Sequence, residues 1–130
     1  MKILAIECSA TPASCAIFED ERLVSSSFAN VKLTHSETLM PMVEATLKNA
    51  KLSIDDIDSL AVSCGPGSFT GIRIGISAIK GLAIKDKKPC CAVSTLLSMA
   101  YRLRFFDGVV CAVMDARCNQ VYNALFRCEN

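Results

Sequence analysis

The stretch SCGPGSFTGIRIG, residues 63 to 75, holds four of the six glycines of the chain, one of its four prolines and an arginine. It lies where an apolar strand is expected to give way to a helix. The first amides of a helix lack backbone partners and carry the positive end of its dipole, so a glycine loop at that point can hold a phosphate. Gly67, Ser68, Thr70 and Arg73 would hold the anion, and Arg73 is also expected to pair with a carboxylate, either Asp115 or a residue of a partner protein. Neither nucleotide motif is complete. The Walker form needs a lysine followed by Ser or Thr, and here Gly71 is followed by Ile72 and Arg73. Gly65, Gly67 and Gly71 give G-x-G-x-x-x-G, one residue more than the dinucleotide fingerprint allows.

A packing role is the other reading of the same residues. Gly71, Gly75, Ala78 and Leu82 fall on one helical face, with Gly81 beside them, and a face that flat lets another helix approach closely. Ile72, Ile76, Ile79 and Ala83 form a bulkier face suited to a sheet. Each interior glycine costs a helix about 0.8–1 kcal/mol relative to alanine, which close approach has to return. A cation in the first turn, such as Arg73, opposes the dipole by about 0.3–1 kcal/mol, hence the expectation of a carboxylate partner.

Other chemistry finds fewer of its parts. The single histidine, His35, excludes any site that needs two, and at a helix start it reads as a capping or surface residue. Two-metal hydrolysis on a ribonuclease-like sheet needs a carboxylate at the end of the fourth strand, where the chain has Ser63-Cys64-Gly65. Glu7-Cys8-Ser9 occupies a first hairpin turn, the place where sugar-kinase and actin-like ATPases hold phosphate, and Cys64 beside a glycine turn has no general base near it in sequence. No metal site is expected.

These residues are carried by 130 residues, enough for one domain with a hydrophobic core. A formal charge of +1 without any basic block gives no support to autonomous nucleic-acid binding. Eight irregularly spaced cysteines with no C-x-x-C read as small buried hydrophobes in a reducing compartment, and Cys90 and Cys91 should point to opposite faces of one strand. MKILAIEC is too short for a signal segment and no apolar run approaches about 18 residues, so no membrane span and a cytoplasmic location are expected.

Residues 2–8, 14–19 and 22–29 read as a three-stranded antiparallel meander. Thr34 and Glu37 have capping-box spacing ahead of Leu39, Val43, Leu47 and Ala50, a helical row in which Pro41 should kink or separate the first turns. A strand at 57–64, a helix at 70–85, a strand at 89–93 and a helix at 94–105 complete the order βββαβαβα, a mixed sheet with right-handed crossovers. Strands at 109–115 and 120–127 then repeat the opening pattern, with Glu7 and Asp115 in equivalent places. The expected organisation is one complete lobe, residues 1–105, followed by residues 106–130 as the first hairpin of a second lobe that stops there, leaving unpaired edge and apolar surface as a reason to self-associate.

ILAIECS, HSETLMPMV, GPGSFTGIRIGISAIKGLA, VSTLLSMA and DARCNQVY together resemble the bacterial TsaB (YeaZ) family over nearly the whole chain, and GPGSFTGIRIG is the strongest element. The resemblance implies a ribonuclease-H-like lobe of the actin, sugar-kinase and heat-shock ATPase type. It implies a non-catalytic subunit that dimerises with itself and binds the catalytic paralogue TsaD, with the ATPase TsaE joining. Their complex moves threonylcarbamoyl to adenosine 37 of tRNA, so tRNA would be met only through the complex, and ATP and metal would belong to partner subunits. The paralogue's H-x-x-x-H pair on the first helix is reduced here to His35 and Leu39. The contact implied lies on the first two helices, at Leu39, Met40, Val43, Leu47, Gly71, Ile72, Gly75, Ala78 and Leu82. The usual Asp-Thr-Ser of the first turn is Glu7-Cys8-Ser9 here, and DARRGEVY is DARCNQVY, which removes an acidic residue at Gln120. A nucleotide-binding actin-like ATPase or glycoprotease-like fragment is the alternative.

Overall fold

A computed structural model of the chain describes residues 1–31 and 34–129; Asn130, the last residue of the expected second unit, lies outside them. The meander forms as expected, with β1 (Lys2–Glu7), β2 (Ala13–Glu19) and β3 (Arg22–Ala29). Then follow α1 (His35–Ala50), a short 3-10 turn (Ile54–Asp56), β4 (Ser59–Gly65), α2 (Phe69–Ile84), β5 (Cys90–Ser94) and α3 (Thr95–Tyr101). The five strands make one mixed sheet in the order β3-β2-β1-β4-β5, with β1 antiparallel to β2 and parallel to β4. The chain ends in a separate two-stranded antiparallel hairpin, β6 (Gly108–Arg117) and β7 (Gln120–Cys128).

Period-two alternation builds the main core. Leu4, Ile6 and Cys8, Ala13, Cys15 and Ile17, and Leu60 and Val62 are buried, and register sets Ile6 between Cys15 and Val62, so all eight share one sheet face. Leu39, Met42 and Val43 of α1 and Ile79 of α2 belong to the same core. Thr46 is buried among them without loss, its hydroxyl 2.7 Å from the Met42 carbonyl oxygen and 2.8 Å from the Ser27 hydroxyl. At the start of α1 the Thr34 N–H donates to Glu37 at 3.1 Å and the Thr34 hydroxyl does so at 2.6 Å, as the capping spacing requires.

Three expectations need correction. Of the two effects expected of Pro41, a separately wound first turn does not occur: it lies inside one continuous helix, since it removes a single backbone donor while Leu39, Met42 and Val43 around it are held in the core. The third helix ends at Tyr101 rather than Phe105. Only Cys8 and Cys15 are buried hydrophobes; Cys64, Cys90, Cys91, Cys111 and Cys118 are exposed and Cys128 half-buried. β5 is an edge strand and the hairpin is covered on one side only, so thiols on those strands meet solvent. Cys90 and Cys91 do alternate along β5, opposite Leu60 and Ala61. No helix among the described residues is long and apolar enough to cross a membrane.

Burial pushes the Cys8 thiol up to about 12 and the Cys15 thiol up to about 11, from an ordinary 9.0. The native state therefore keeps these protons where the unfolded chain releases them, and stability falls as pH rises from 9.0 towards 11. Chromogenic disulfide titration at about pH 8 should find the five exposed thiols fast, with Cys8 and Cys15 reacting only as the protein unfolds. Prompt reaction of either buried thiol would contradict this packing.

Candidate functional site

The turn after β1 meets the first turns of both long helices. Gly67 and Gly71 make this possible by having no side chain: a Cβ on Gly67 would stand 2.3 Å from the Ser9 carbonyl oxygen, and one on Gly71 would stand 2.1 Å from that of Cys8. With the backbones this close, the Ser68 N–H donates to the Ser9 carbonyl at 2.6 Å. The Ser68 side chain accepts from the Gly71 N–H at 3.2 Å, and its carbonyl accepts from Ile72 at 2.9 Å. From α1, Nε2 of His35 lies 2.9 Å from the Ala10 carbonyl oxygen, which makes it the protonated, donating ring nitrogen. Three consecutive residues, Cys8, Ser9 and Ala10, thus seat α2 and α1 against β1.

Glu7 closes the sheet side of the same corner. One carboxylate oxygen accepts the Ser9 N–H and the other accepts the Ser63 hydroxyl of β4. At the hairpin tip Asp115 repeats the first bond, accepting the Arg117 N–H at 2.7 Å. Cys118 and Asn119 have positive φ there, the conformation a tight two-residue hairpin turn demands, and so does Arg117 at the register shift that precedes it.

An open cleft of about 900 Å³ lies between this corner and the hairpin tip. Ser9, Thr11, Thr34, Ser68, Thr70 and Tyr122 line it with hydroxyls; among the described residues His35, Asp115 and Arg117 are its other titratable or charged groups. Gly67, Ser68, Thr70 and Asp115, expected to share a site, do line this one cleft. Arg73 does not line it and does not pair with Asp115. Its guanidinium lies over the Phe69 ring, 5.0 Å from the centroid, while Asp115 is engaged with Arg117. The amides of Ser68, Gly71 and Ile72, which an anion would need, already serve acceptors of the chain itself. Among the described residues no group of three His, Cys, Asp or Glu side chains could hold a metal. Thr11, Thr34, Arg117 and Tyr122 were missed as site residues in the sequence, because the cleft forms only where the hairpin tip comes over the helix starts.

The faces of the helices differ from expectation. Gly71 and Gly75 point inward, Gly75 against Val62 and Cys8, and are buried, as are Leu39 and Val43 at 1% and 2% exposure. These four cannot form a contact with another chain. Met40 is exposed, and Leu47, Ile72, Ala78 and Leu82 are half-buried. Gly81 is exposed, and a Cβ there would meet nothing within 4 Å.

The model of the family described as TsaD, tRNA N6-adenosine threonylcarbamoyltransferase, matches residues 29–129. The tRNA threonylcarbamoyladenosine biosynthesis protein TsaB of Bacillus subtilis (strain 168) is 35% identical over 130 residues, 100% of this chain and 57% of that protein. TsaB of Escherichia coli (strain K12) is 39% identical over 129 residues, 98% of this chain and 55% of that protein. The chain thus spans little more than half the length of these curated relatives. The structure of YeaZ from Pseudomonas aeruginosa superposes with a TM-score of 0.85 at 33% identity, covering 98% of this chain and 61% of that one. A ROK hexokinase from Thermus thermophilus, 15% identical with a TM-score of 0.60 over 100% of this chain and 48% of its own, shares the ribonuclease-H-like fold of the actin and sugar-kinase type.

Two single substitutions separate the inward glycines from the outward one. Gly71→Ala is expected to lower stability by about 1–3 kcal/mol or more, since backbone must move. Gly81→Ala should raise it by up to about 1 kcal/mol, since nothing within the chain needs that glycine. Chemical denaturation of both variants checks the pair, and equal effects would contradict the assigned faces.

Proposed function

The chain belongs to the TsaB (YeaZ) family, and from that premise we propose that it is a non-catalytic scaffold subunit in threonylcarbamoyl modification of tRNA, one that binds the catalytic paralogue TsaD. The curated relatives are named for threonylcarbamoyladenosine biosynthesis, and the matched family model for the transferase. The observation that carries the scaffold role is Gly81. It costs α2 about 0.8–1 kcal/mol, serves no contact of its own chain, and leaves open backbone close to half-buried Ala78. A partner that packs directly on that flank would return the cost. Met40 on α1 supplies an exposed apolar residue on the other helix of the proposed contact.

The corner around Glu7 supports the absence of chemistry. Both carboxylate oxygens are bonded within the chain, the Ser9 carbonyl accepts the Ser68 N–H inside the glycine loop, and among the described residues Arg117 is the one permanently cationic side chain lining the cleft. On this reading the chain has no cofactor of its own, ATP and metal belong to partner subunits, TsaE joins the complex, and tRNA is met only there. Residues 106–130 are proposed as the opening hairpin of a second lobe, consistent with Asp115 and Glu7 each accepting the backbone N–H two residues further on. A nucleotide-binding fragment is the second reading, favoured by the hydroxyl-lined cleft of about 900 Å³.

Light scattering of the chain mixed with its TsaD paralogue should show a complex in the presence of ATP and magnesium. Gly81→Glu, which has room for its side chain within the protomer, should weaken that complex about tenfold or more while leaving the circular dichroism unchanged. A variant that binds the paralogue as the unaltered chain does would remove the α2 flank from the interface. ATP binding by the isolated chain, measured by calorimetry, would favour the second reading.

A further inference from the structure

Between α3 and β6 the chain is exposed but not open. Tyr101 to Asp107 all face solvent, yet backbone bonds wind the segment into consecutive turns. The Leu103 N–H donates to the Ala100 carbonyl at 2.9 Å, the Arg104 N–H to that of Tyr101 at 3.2 Å, and the Phe106 N–H to that of Leu103 at 2.9 Å. Ala100, at 3% exposure, roots these turns in the smaller core. The residues displayed, Tyr101-Arg102-Leu103-Arg104-Phe105-Phe106, interleave aromatic rings with two arginines.

Arg104 is held among the rings. Its guanidinium lies 4.6 Å from the centroid of the Tyr101 ring and 4.3 Å from that of Phe105, and Nη1 donates to the Tyr101 carbonyl at 3.3 Å. Tyr101 and Phe105 nevertheless stay 61% and 72% exposed. Among the described residues, neither Arg102 nor Arg104 forms an ion pair. We infer that this segment is a contact surface for RNA, in which the Tyr101 and Phe105 rings stack an unpaired base and Arg102 and Arg104 hold its phosphates. The inference rests on the proposed role in tRNA modification and deepens it, because it gives this chain its own contact with the RNA inside the complex.

Chemistry selects the ligand. A carboxylate on a protein partner would satisfy a guanidinium and leave the rings in water, whereas an unstacked nucleotide brings a flat π-face and a phosphate together. Arginine suits both, since its plane stacks on rings and its fork donates to phosphate oxygens. With Arg104 already held by a carbonyl and two rings, less side-chain freedom is lost on binding. Counter-charges nearby are few: Asp107 ends the segment, and Glu129 is paired with Arg127 at 3.8 Å in the adjoining groove. The formal charge of +1 for the whole chain keeps the contact weak by itself and dependent on salt.

Fluorescence anisotropy of a labelled tRNA anticodon stem-loop, titrated with the isolated chain, tests this whether or not the paralogue binds. Binding is expected at about 20 mM salt, with log affinity falling against log salt at a slope of about −1.4, as two phosphate contacts to a single strand require. Arg104→Glu and Tyr101→Ala should each weaken it about fivefold or more with the circular dichroism unchanged. Arg102→Ala should reduce the slope by about 0.7, and Lys80→Ala, exposed on α2, should change nothing. No binding at about 100 μM chain, binding indifferent to Arg104→Glu and Tyr101→Ala, or equal binding to a blunt RNA duplex would each overturn the inference. So would a loss of the TsaD complex on Arg104→Glu with RNA binding intact, which would mark a protein contact. Failure of the unaltered chain to bind TsaD, with the RNA binding and its arginine dependence retained, would instead sink the scaffold reading and leave this surface standing.

Discussion

Two helix starts have to be seated on one three-residue turn, and the rest of the lobe depends on that contact. Cys8 and Ser9 receive α2, and Ala10 receives α1 through His35. Because α1 follows β3 and α2 follows β4, this corner fixes both crossovers relative to β1 at once. The glycines at 67 and 71 are conditions of that geometry: a methyl group at either would overlap backbone, which cannot swing aside as a side chain can. The Glu7 carboxylate then ties β1 to β4 from the sheet side through Ser63. With the Ser9 and Ala10 carbonyls and the Glu7 carboxylate engaged, the corner is a joint, and the glycine loop that looks like a phosphate cradle is one of its members.

What the joint leaves over is surface. Inward glycines draw α2 onto the sheet, so its half-buried small residues and exposed Gly81 lie on a low-relief flank. The hairpin, by contrast, packs its buried residues on α3 and leaves its other face exposed. The first surface is a helix made approachable by small residues, the second the solvent-facing side of a two-stranded hairpin.

Much of this was legible in the residues. Alternation in β1, β2 and β4 gave the strands and the buried row, and the Thr34–Glu37 spacing gave the start of α1. Periodicity located the Gly71 and Gly75 row on α2 but not what it faced, because a flat face suits a neighbouring helix and a carbonyl-rich turn equally well. The turn became the answer only when β1 and β4 were known to be adjacent and parallel. Cysteine burial was misjudged for a related reason. A β-strand side chain is buried by whatever covers its sheet, and among the described residues the cover leaves Cys90, Cys91 and Cys111 exposed. The tie between Arg73 and Asp115 failed because a neighbouring ring, Phe69, offered the guanidinium a closer partner.

The two cores have no buried residue in common. Leu96, Ala100, Val110 and Ala112 form one cluster, and the sheet with its two long helices forms the other. Cooperativity in unfolding comes from shared buried contacts, so the hairpin, which meets the lobe through α3 and the packing of α3 on β4 and β5, is expected to open as a separate foldon. Hydrogen exchange in β6 and β7 would then report a local opening energy smaller than that of β1 and β4. A single melting temperature would describe the lobe while passing over the hairpin, whose order is set by what it packs against.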